Sequence, residues 1–259
     1  SRLVCQGMVN APAPFCADCN VEYHVDIDGS SCPTCGKILG SRSAKMSKSL
    51  GNTVSPESMI GKYGADTVRL FILFGANPEA GMDWSDSAID SNYRQIKAIH
   101  SALTQGIENN SESGVMDEWL LARSHQAHGS WVDSMSDVSL RDGVMISHFE
   151  MLTDWQWAQR RGGVSANASR KYLATWIPML YPTTPHLAEE MWEMLGQETM
   201  LALTIIDMNS TKEDSIRDTI VLGQEEYLRR VIDRARSVRE LAERHTEGNL
   251  SAVIIQTAQ

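Results

Sequence analysis

The spacing of hydrophobic positions changes character near Ser85. From there on apolar residues recur at three- and four-residue steps, beginning with Ile89, Tyr93, Ile96, Leu103 and Ile107, the period of an α-helix with one buried face. His100 shares that stripe and is expected on the helix flank, not as a ligand. A polar loop over 108–114 precedes helices expected over 117–137, 139–160 and 167–181. Their cores would use Trp119, Leu120, Trp131, Met135, Leu140, Val144, Phe149, Leu152, Trp155, Leu173 and Ile177. Arg160-Arg161-Gly162-Gly163 is a turn. Pro182 and Pro185 stop one helix and start the next, which carries Leu187, Met191, Trp192 and Leu195 before Gly196 closes it. Residues 201–206 form an apolar strand or extended strap, 207–219 are polar, and a helix is expected over 225–244. Its stripe is Leu228, Ile232, Ala235, Val238 and Ala242. Residues 251–256 read as a strand without visible partners, so a truncated C-terminal module is expected.

Ahead of Ser85 the helical period is brief. Ser55-Pro56-Glu57 starts a helix, with Ser55 as N-cap and proline at the first position, and Gly64 ends it after Tyr63. A second helix begins near Asp66 and carries Val68, Leu70, Phe71, Leu73 and Phe74, apolar on most sides and therefore buried. Residues 76–81 form a loop. Residues 23–27 read as a short strand, followed by a turn at Asp28-Gly29. Residues 1–15 show no helix start of their own, and the expectation is a piece of a longer chain.

The 259 residues allow one large or two ordinary domains, and 42% hydrophobic with 22% charged residues is a globular composition. No apolar run reaches membrane-spanning length and no signal peptide opens the chain, so a cytoplasmic protein without a membrane partner is expected. A net charge of −10 puts any nucleic-acid surface on a local basic patch. One such patch lies at residues 229–239, where Arg229, Arg230, Arg234, Arg236 and Arg239 face a single acid, Asp233. Two readings stay open for it: a solvated helix face, or contacts with an RNA backbone.

Four of the five cysteines form two CxxC knuckles, Cys16 with Cys19 and Cys32 with Cys35. Each knuckle can aim two thiolates at one point, and four thiolates make a closed tetrahedral zinc site with a structural role. A redox pair or unpaired buried cysteines are the rival readings; a redox CxxC normally comes once and in a βαβ setting. Cys5 stands apart as a small buried apolar residue.

Ten residues after Cys35 comes Lys45-Met46-Ser47-Lys48-Ser49, running into Leu50-Gly51-Asn52. Between Lys37 and Pro56 stand Lys37, Arg42, Lys45 and Lys48 with no acid. Positive charge, hydroxyl donors and a flexible glycine suit the phosphates of a nucleotide, while charge alone favours a solvated basic loop. The literal pentapeptide resembles the KMSKS signature of the class I aminoacyl-tRNA synthetases. Gly64-Ala65-Asp66-Thr67-Val68-Arg69-Leu70-Phe71 resembles the segment that follows it in the leucyl, isoleucyl, valyl and methionyl subclass. Phe74 to Glu79, then Met82-Asp83-Trp84-Ser85-Asp86, look most like the leucyl family, and His186 to Trp192 look like a packing motif of its helix bundle.

That resemblance implies a mainly α fold: a zinc ribbon and KMSKS-loop region, then an anticodon-binding-type helix bundle, then the start of a small α/β C-terminal module. Residues 1–84 would end the catalytic domain, 85–219 form the tRNA-binding bundle, and 220–259 open the C-terminal module. The implied reaction is ATP-dependent activation of leucine, with magnesium, and transfer to tRNA(Leu). Lys45 and Lys48 would offset charge on the transferring phosphates. Lys45, Met46, Ser47, Lys48, Ser49 and Asn52 would contact ATP or shape the loop around it. A HIGH-like signature and an editing insertion are not among these residues. The remainder of the synthetase chain, or a separate catalytic subunit, is therefore an expected partner, and the piece alone is expected to be inactive. The alternatives are a valyl or isoleucyl enzyme, or a non-catalytic tRNA-binding module that keeps the KMSKS letters.

Overall fold

The computed structural model describes residues 7–204 and 216–245, and these are mainly helical. Cys5, the rest of the apolar segment beyond Thr204, and the strand expected over 251–256 lie outside the described residues. A small sheet comes first. Strand β1 (Val9–Cys16) pairs antiparallel with β3 (Gly40–Lys45), from Asn10 opposite Lys45 to Phe15 opposite Gly40. Its other edge carries two short partners, β2 (Val21–Glu22), antiparallel, and β4 (Met82–Asp83), parallel.

Prolines explain why that second edge is short. The carbonyls of Met8, Asn10 and Pro14 accept from Met82, Trp84 and Tyr23 along it. Residues of one strand alternate in direction, so the N–H groups that Pro12 and Pro14 lack are missing from the same edge. The strand expected over 23–27 accordingly does not form; β2 occupies only Val21–Glu22. Tyr23 and His24 run on without a ladder, and a turn follows at Val25.

Helix α1 (Pro56–Tyr63) starts after Ser55, whose side chain makes no capping bond, and stops at Gly64 with φ +83°. Helix α2 (Ala65–Gly75) buries Leu70 and Phe71. The bundle comprises α3 (Asp86–Ile107), α4 (Asp117–Ser136), α5 (Leu140–Met145), α6 (Met151–Arg160), α7 (Ala166–Leu180) and α8 (Pro185–Met194). A 3-10 turn over Leu201–Leu203 stands where a strand or strap was expected. Helix α9 (Ile216–His245) packs on α4 and begins earlier than the expected 225–244, so it runs across the expected 219/220 boundary. Among the described residues no helix is long and apolar enough to cross a membrane.

The core of the bundle is built on Trp119, Leu120, Trp155, Tyr172, Leu173, Trp176 and Ile177. Gly106 lets α3 approach α7: a Cβ there would come within 2.9 Å of Leu173 Cδ1, and Ser169 Oγ donates to the Gly106 carbonyl at 2.8 Å. The helix expected over 139–160 is broken by one π turn, Ile146–Glu150, between α5 and α6. Two carbonyls of this wider turn accept side-chain donors from other helices. Trp176 Nε1 donates to that of Ser147 at 2.6 Å, and Gln95 Nε2 donates to that of His148. His148 is thereby turned fully inward, between the hydroxyls of Ser147 (2.8 Å from Nδ1) and Thr184 (3.1 Å from Nε2).

Polar joints fix α2 to the bundle. Asp66 Oδ2 accepts from Leu187 N and Oδ1 meets His186 Nδ1, both at 2.8 Å, so the first helix turn of α8 is capped by a residue of α2. One turn along, Arg69 donates to the carbonyls of Pro182 and Thr183, both at 2.9 Å. Phe74 stacks on Phe149 at 4.5 Å, and Arg141 lies 5.0 Å from the Phe74 ring.

Candidate functional site

The loop from Lys45 to Asn52 leaves the end of β3 and is pinned from within. Asn52 is buried: its Oδ1 accepts from Ser47 N at 2.9 Å, and its Nδ2 donates to the carbonyls of Ala11 (3.2 Å) and Ala44 (3.3 Å). One side chain thus ties the loop to both β1 and β3. Ser47 Oγ accepts from Leu50 N at 3.2 Å and lies 3.1 Å from Ser49 Oγ. Gly51 closes the turn at φ +67°, a left-handed conformation open to glycine. With the base so held, Met46 is half-buried, whereas Lys45, Lys48 and Ser49 are exposed. Neither lysine forms an ion pair among the described residues. Two unpaired ammonium groups and two hydroxyls on one anchored turn are donors for an anion.

The four knuckle cysteines converge. Their Sγ atoms all lie within 4.8 Å of one another, with Cys16 and Cys35 at 3.5 Å and Cys19 and Cys32 at 3.9 Å. Four sulfurs 2.3 Å from one zinc in a tetrahedron stand about 3.8 Å apart. The donor set therefore fits zinc in spacing and in kind. Tyr23 Oη is 3.1 Å from Cys32 Sγ and holds that thiol down at about 6. Cys19 is pushed up to about 12, chiefly by its hydrogen bond with Cys35, so a metal must displace that proton.

The five arginines of α9 differ in setting. Arg229 is turned inward, with its guanidinium 4.8 Å from the Trp119 ring and 4.7 Å from the Trp157 ring. It reaches Asp154 at 3.2 Å, a carboxylate 3% exposed that Arg123 also holds at 2.7 Å. Its Nε is buried and finds no hydrogen-bond partner. Glu225 joins the same seam by accepting from Trp157 Nε1 (2.7 Å) and Arg161 Nε (3.0 Å). Arg230, Arg234, Arg236 and Arg239 are exposed; Arg230 pairs with Glu226, and Arg236 lies 3.6 Å from Asp233. His100 is exposed and 4.0 Å from Glu190, a helix-flank residue as expected.

Sequence spacing missed Asp66, Arg69, His148 and Tyr23 as structural or site residues. CxxC spacing and the pentapeptide brought out the cysteines and the loop. Nothing local marks the partners of Asp66 and Arg69, more than a hundred residues away, or those of His148 and Tyr23 on other elements.

Comparison with known proteins places two families on this frame. Residues 117–254 match the anticodon-binding domain of tRNA ligase, and residues 33–85 match the tRNA synthetases class I (I, L, M and V). A leucine–tRNA ligase of Methanosarcina acetivorans is 33% identical over 188 residues, 70% of this chain and 19% of that protein. One from Thioalkalivibrio sulfidiphilus is 28% identical over 224 residues, 79% of this chain and 27% of that protein. The chain thus spans about a fifth to a quarter of the length of these relatives. Among solved structures, a LeuRS of Agrobacterium radiobacter K84, in a ternary complex with tRNA and LeuAMS, superposes with a TM-score of 0.53 at 22% identity. That match covers 61% of this chain and 22% of the other, and it is a likeness of fold.

Proposed function

Because the chain belongs to the anticodon-binding-domain family of the tRNA ligases, we propose that it is the stretch of a leucine–tRNA ligase carrying the phosphate-facing loop and the tRNA-binding bundle. One observation carries the reading: an anchored turn bearing Lys45 and Lys48, unpaired among the described residues, sits within the class I synthetase match, on the same chain as the anticodon-binding helices. The parent would join leucine to ATP, releasing pyrophosphate, and then pass the leucyl group to tRNA(Leu). Lys45 and Lys48 bind and orient the phosphates and offset charge that grows on the leaving pyrophosphate. Ser47, Ser49 and Met46 shape the turn, and Asn52 fixes its base. Leucine is favoured over valine and isoleucine by the leucine–tRNA ligases among the relatives.

In this reading zinc is resident at Cys16, Cys19, Cys32 and Cys35 and has a structural role, since four protein sulfurs leave no open position. Metal analysis of reduced protein purified without added zinc should give about one equivalent per chain. Less than a tenth of an equivalent contradicts the assignment. Cys32→Ser should lose the metal while the bundle, with its own core, still melts cooperatively.

Arg234, Arg236 and Arg239 present the RNA-facing side of α9 together with Arg230, while Arg229 holds the helix to Trp119, Trp157 and Asp154. The test is tRNA binding by this chain across a salt series. Replacing Arg234, Arg236 and Arg239 by alanine should weaken binding and flatten the logarithmic salt slope by roughly 0.7–0.9 per lost phosphate contact. An unchanged slope returns α9 to the role of a solvated face.

A further inference from the structure

The loop is held from two sides by the hairpin that carries the cysteines. On one side β3 runs directly into Lys45 and pairs with β1, whose last residue is Cys16. On the other, Val25 N donates to the Leu50 carbonyl at 2.9 Å. The His24 ring rests so closely on Gly51 that a Cβ there would come within 2.4 Å of its Nε2. The ring is oriented in turn, because Asp26 N donates to His24 Nδ1 at 3.1 Å. His24 and Val25 lie between the two knuckles. Tyr23, immediately before them, donates its N–H to the Pro14 carbonyl at 2.8 Å and places its hydroxyl 3.1 Å from Cys32 Sγ. The limb Tyr23–His24–Val25 is therefore tied to the cysteine cluster at one end and lies on the loop at the other.

We propose that His24 and Val25 are the rest against which the Lys45–Asn52 loop is positioned, so that metal held by the four cysteines sets the placement of Lys48. Asn52, with Met46 N donating to the Val9 carbonyl at 3.1 Å, holds the base of the loop at β1 and β3; the far turn, Leu50–Gly51, touches the limb. With the knuckles unfilled, the Tyr23 hydroxyl loses its fixed partner, only the Tyr23 N–H bond to Pro14 still holds the limb, and His24 and Val25 are free to leave Gly51. The loop then keeps its base and loses its aim. A misplaced cation stabilises a developing charge poorly even when it is still present. The catalytic consequence rests on the proposed function above; the mechanical link does not.

Hydrogen exchange on the 259-residue chain reads the link directly. In zinc-stripped, reduced protein the amide of Val25, which donates to the Leu50 carbonyl, should exchange about tenfold faster than in the zinc-loaded form, the loss of roughly one net hydrogen bond. His24→Ala should do the same while keeping about one zinc and unchanged protection in α7. His24→Phe, which keeps a ring against Gly51, should restore most of the protection. Protection at Val25 that is indifferent to zinc, or a metal-loaded His24→Ala chain with that protection unchanged, overturns the proposal. In the intact parent, His24→Ala should lower kcat for pyrophosphate exchange several-fold with the KM for leucine unmoved. A fall in kcat only in proportion to a loss of folded protein overturns the positioning role. Absence of any leucine-dependent exchange in the unmutated parent is a different result, and it strikes the proposed function instead.

Discussion

In the intact parent ligase, Lys48→Ala should slow formation of leucyl-adenylate by about a hundred- to a thousandfold while ATP binding in the ground state changes little. Lys48 is exposed on a turn whose base is fixed by the buried Asn52, and it has no carboxylate partner among the described residues. Such a cation is placed to act when charge moves toward the leaving pyrophosphate, and it has nothing to give up on doing so. Loss of one preorganised contact to developing charge costs about 3–4 kcal/mol of barrier. Lys48→Arg should rescue in part, because a planar fork does not reproduce a compact ammonium donor. Transfer of leucine from preformed adenylate to tRNA should suffer much less, since pyrophosphate has already left. Rapid-quench measurement of the two steps separates them. If Lys48→Ala slows both steps alike, or raises only the KM for ATP, the lysine binds substrate and has no special part in the chemistry.

Acid should destabilise the bundle through a residue far from that loop. His148 is fully buried between two hydroxyls, and burial pushes it down to about 3. In the unfolded chain a histidine titrates near its ordinary value of about 6.5. Between those two values the unfolded state binds a proton that the folded state refuses, so stability is full above about 6.5 and falls as pH falls. The slope from this one group is about 1.4 kcal/mol per pH unit, or roughly 3 kcal/mol by pH 4.5. Urea unfolding of the bundle at a series of pH values gives the total slope. The difference between the native chain and His148→Gln, which keeps a polar group beside Ser147 and Thr184, isolates the histidine. Equal slopes in the two proteins would show that the ring is not the group being protonated.

His148 also shows where reading a sequence stops. It falls inside a segment whose apolar period predicts one helix over 139–160, and the π turn that drives the ring inward leaves that period nearly intact. The groups that hold it, Thr184 on its ring, Gln95 on its carbonyl and Trp176 on the neighbouring Ser147 carbonyl, come from three other elements. The helices themselves were legible because burial of one face imposes a period. The exact stripe was less so. On α3 the residues buried are Ile89, Asn92, Ile99, Ala102, Leu103 and Gly106, not a line through Tyr93 and His100. Small residues admit α7 there, and a reading weighted toward large apolar side chains passes over them.

The cysteines were legible for a different reason: two CxxC knuckles are a local geometric statement, and their Sγ atoms do meet. The limb between them was misjudged as a strand because alternation in residues 23–27 says nothing of Pro12 and Pro14 on the edge it would need. Arg229 carries the same lesson in charge. Five arginines in eleven residues look like one patch, yet the first is drawn in by Trp119, Trp157 and Asp154, which only the packing of α4 and α6 assembles beside it.

Amino-acid-dependent exchange of pyrophosphate into ATP by the full-length parent, run separately with leucine, isoleucine, valine and methionine, tests the central claim most directly. The expected result is exchange with leucine at a kcat/KM at least about a hundredfold above the others, the scale of discrimination that pocket contacts supply, and its near-abolition by Lys48→Ala. Exchange driven best by valine or isoleucine would move the chain to a neighbouring enzyme. No exchange with any amino acid, by a parent that still binds tRNA, would contradict the claim and leave a binding module that keeps its lysine loop without the reaction.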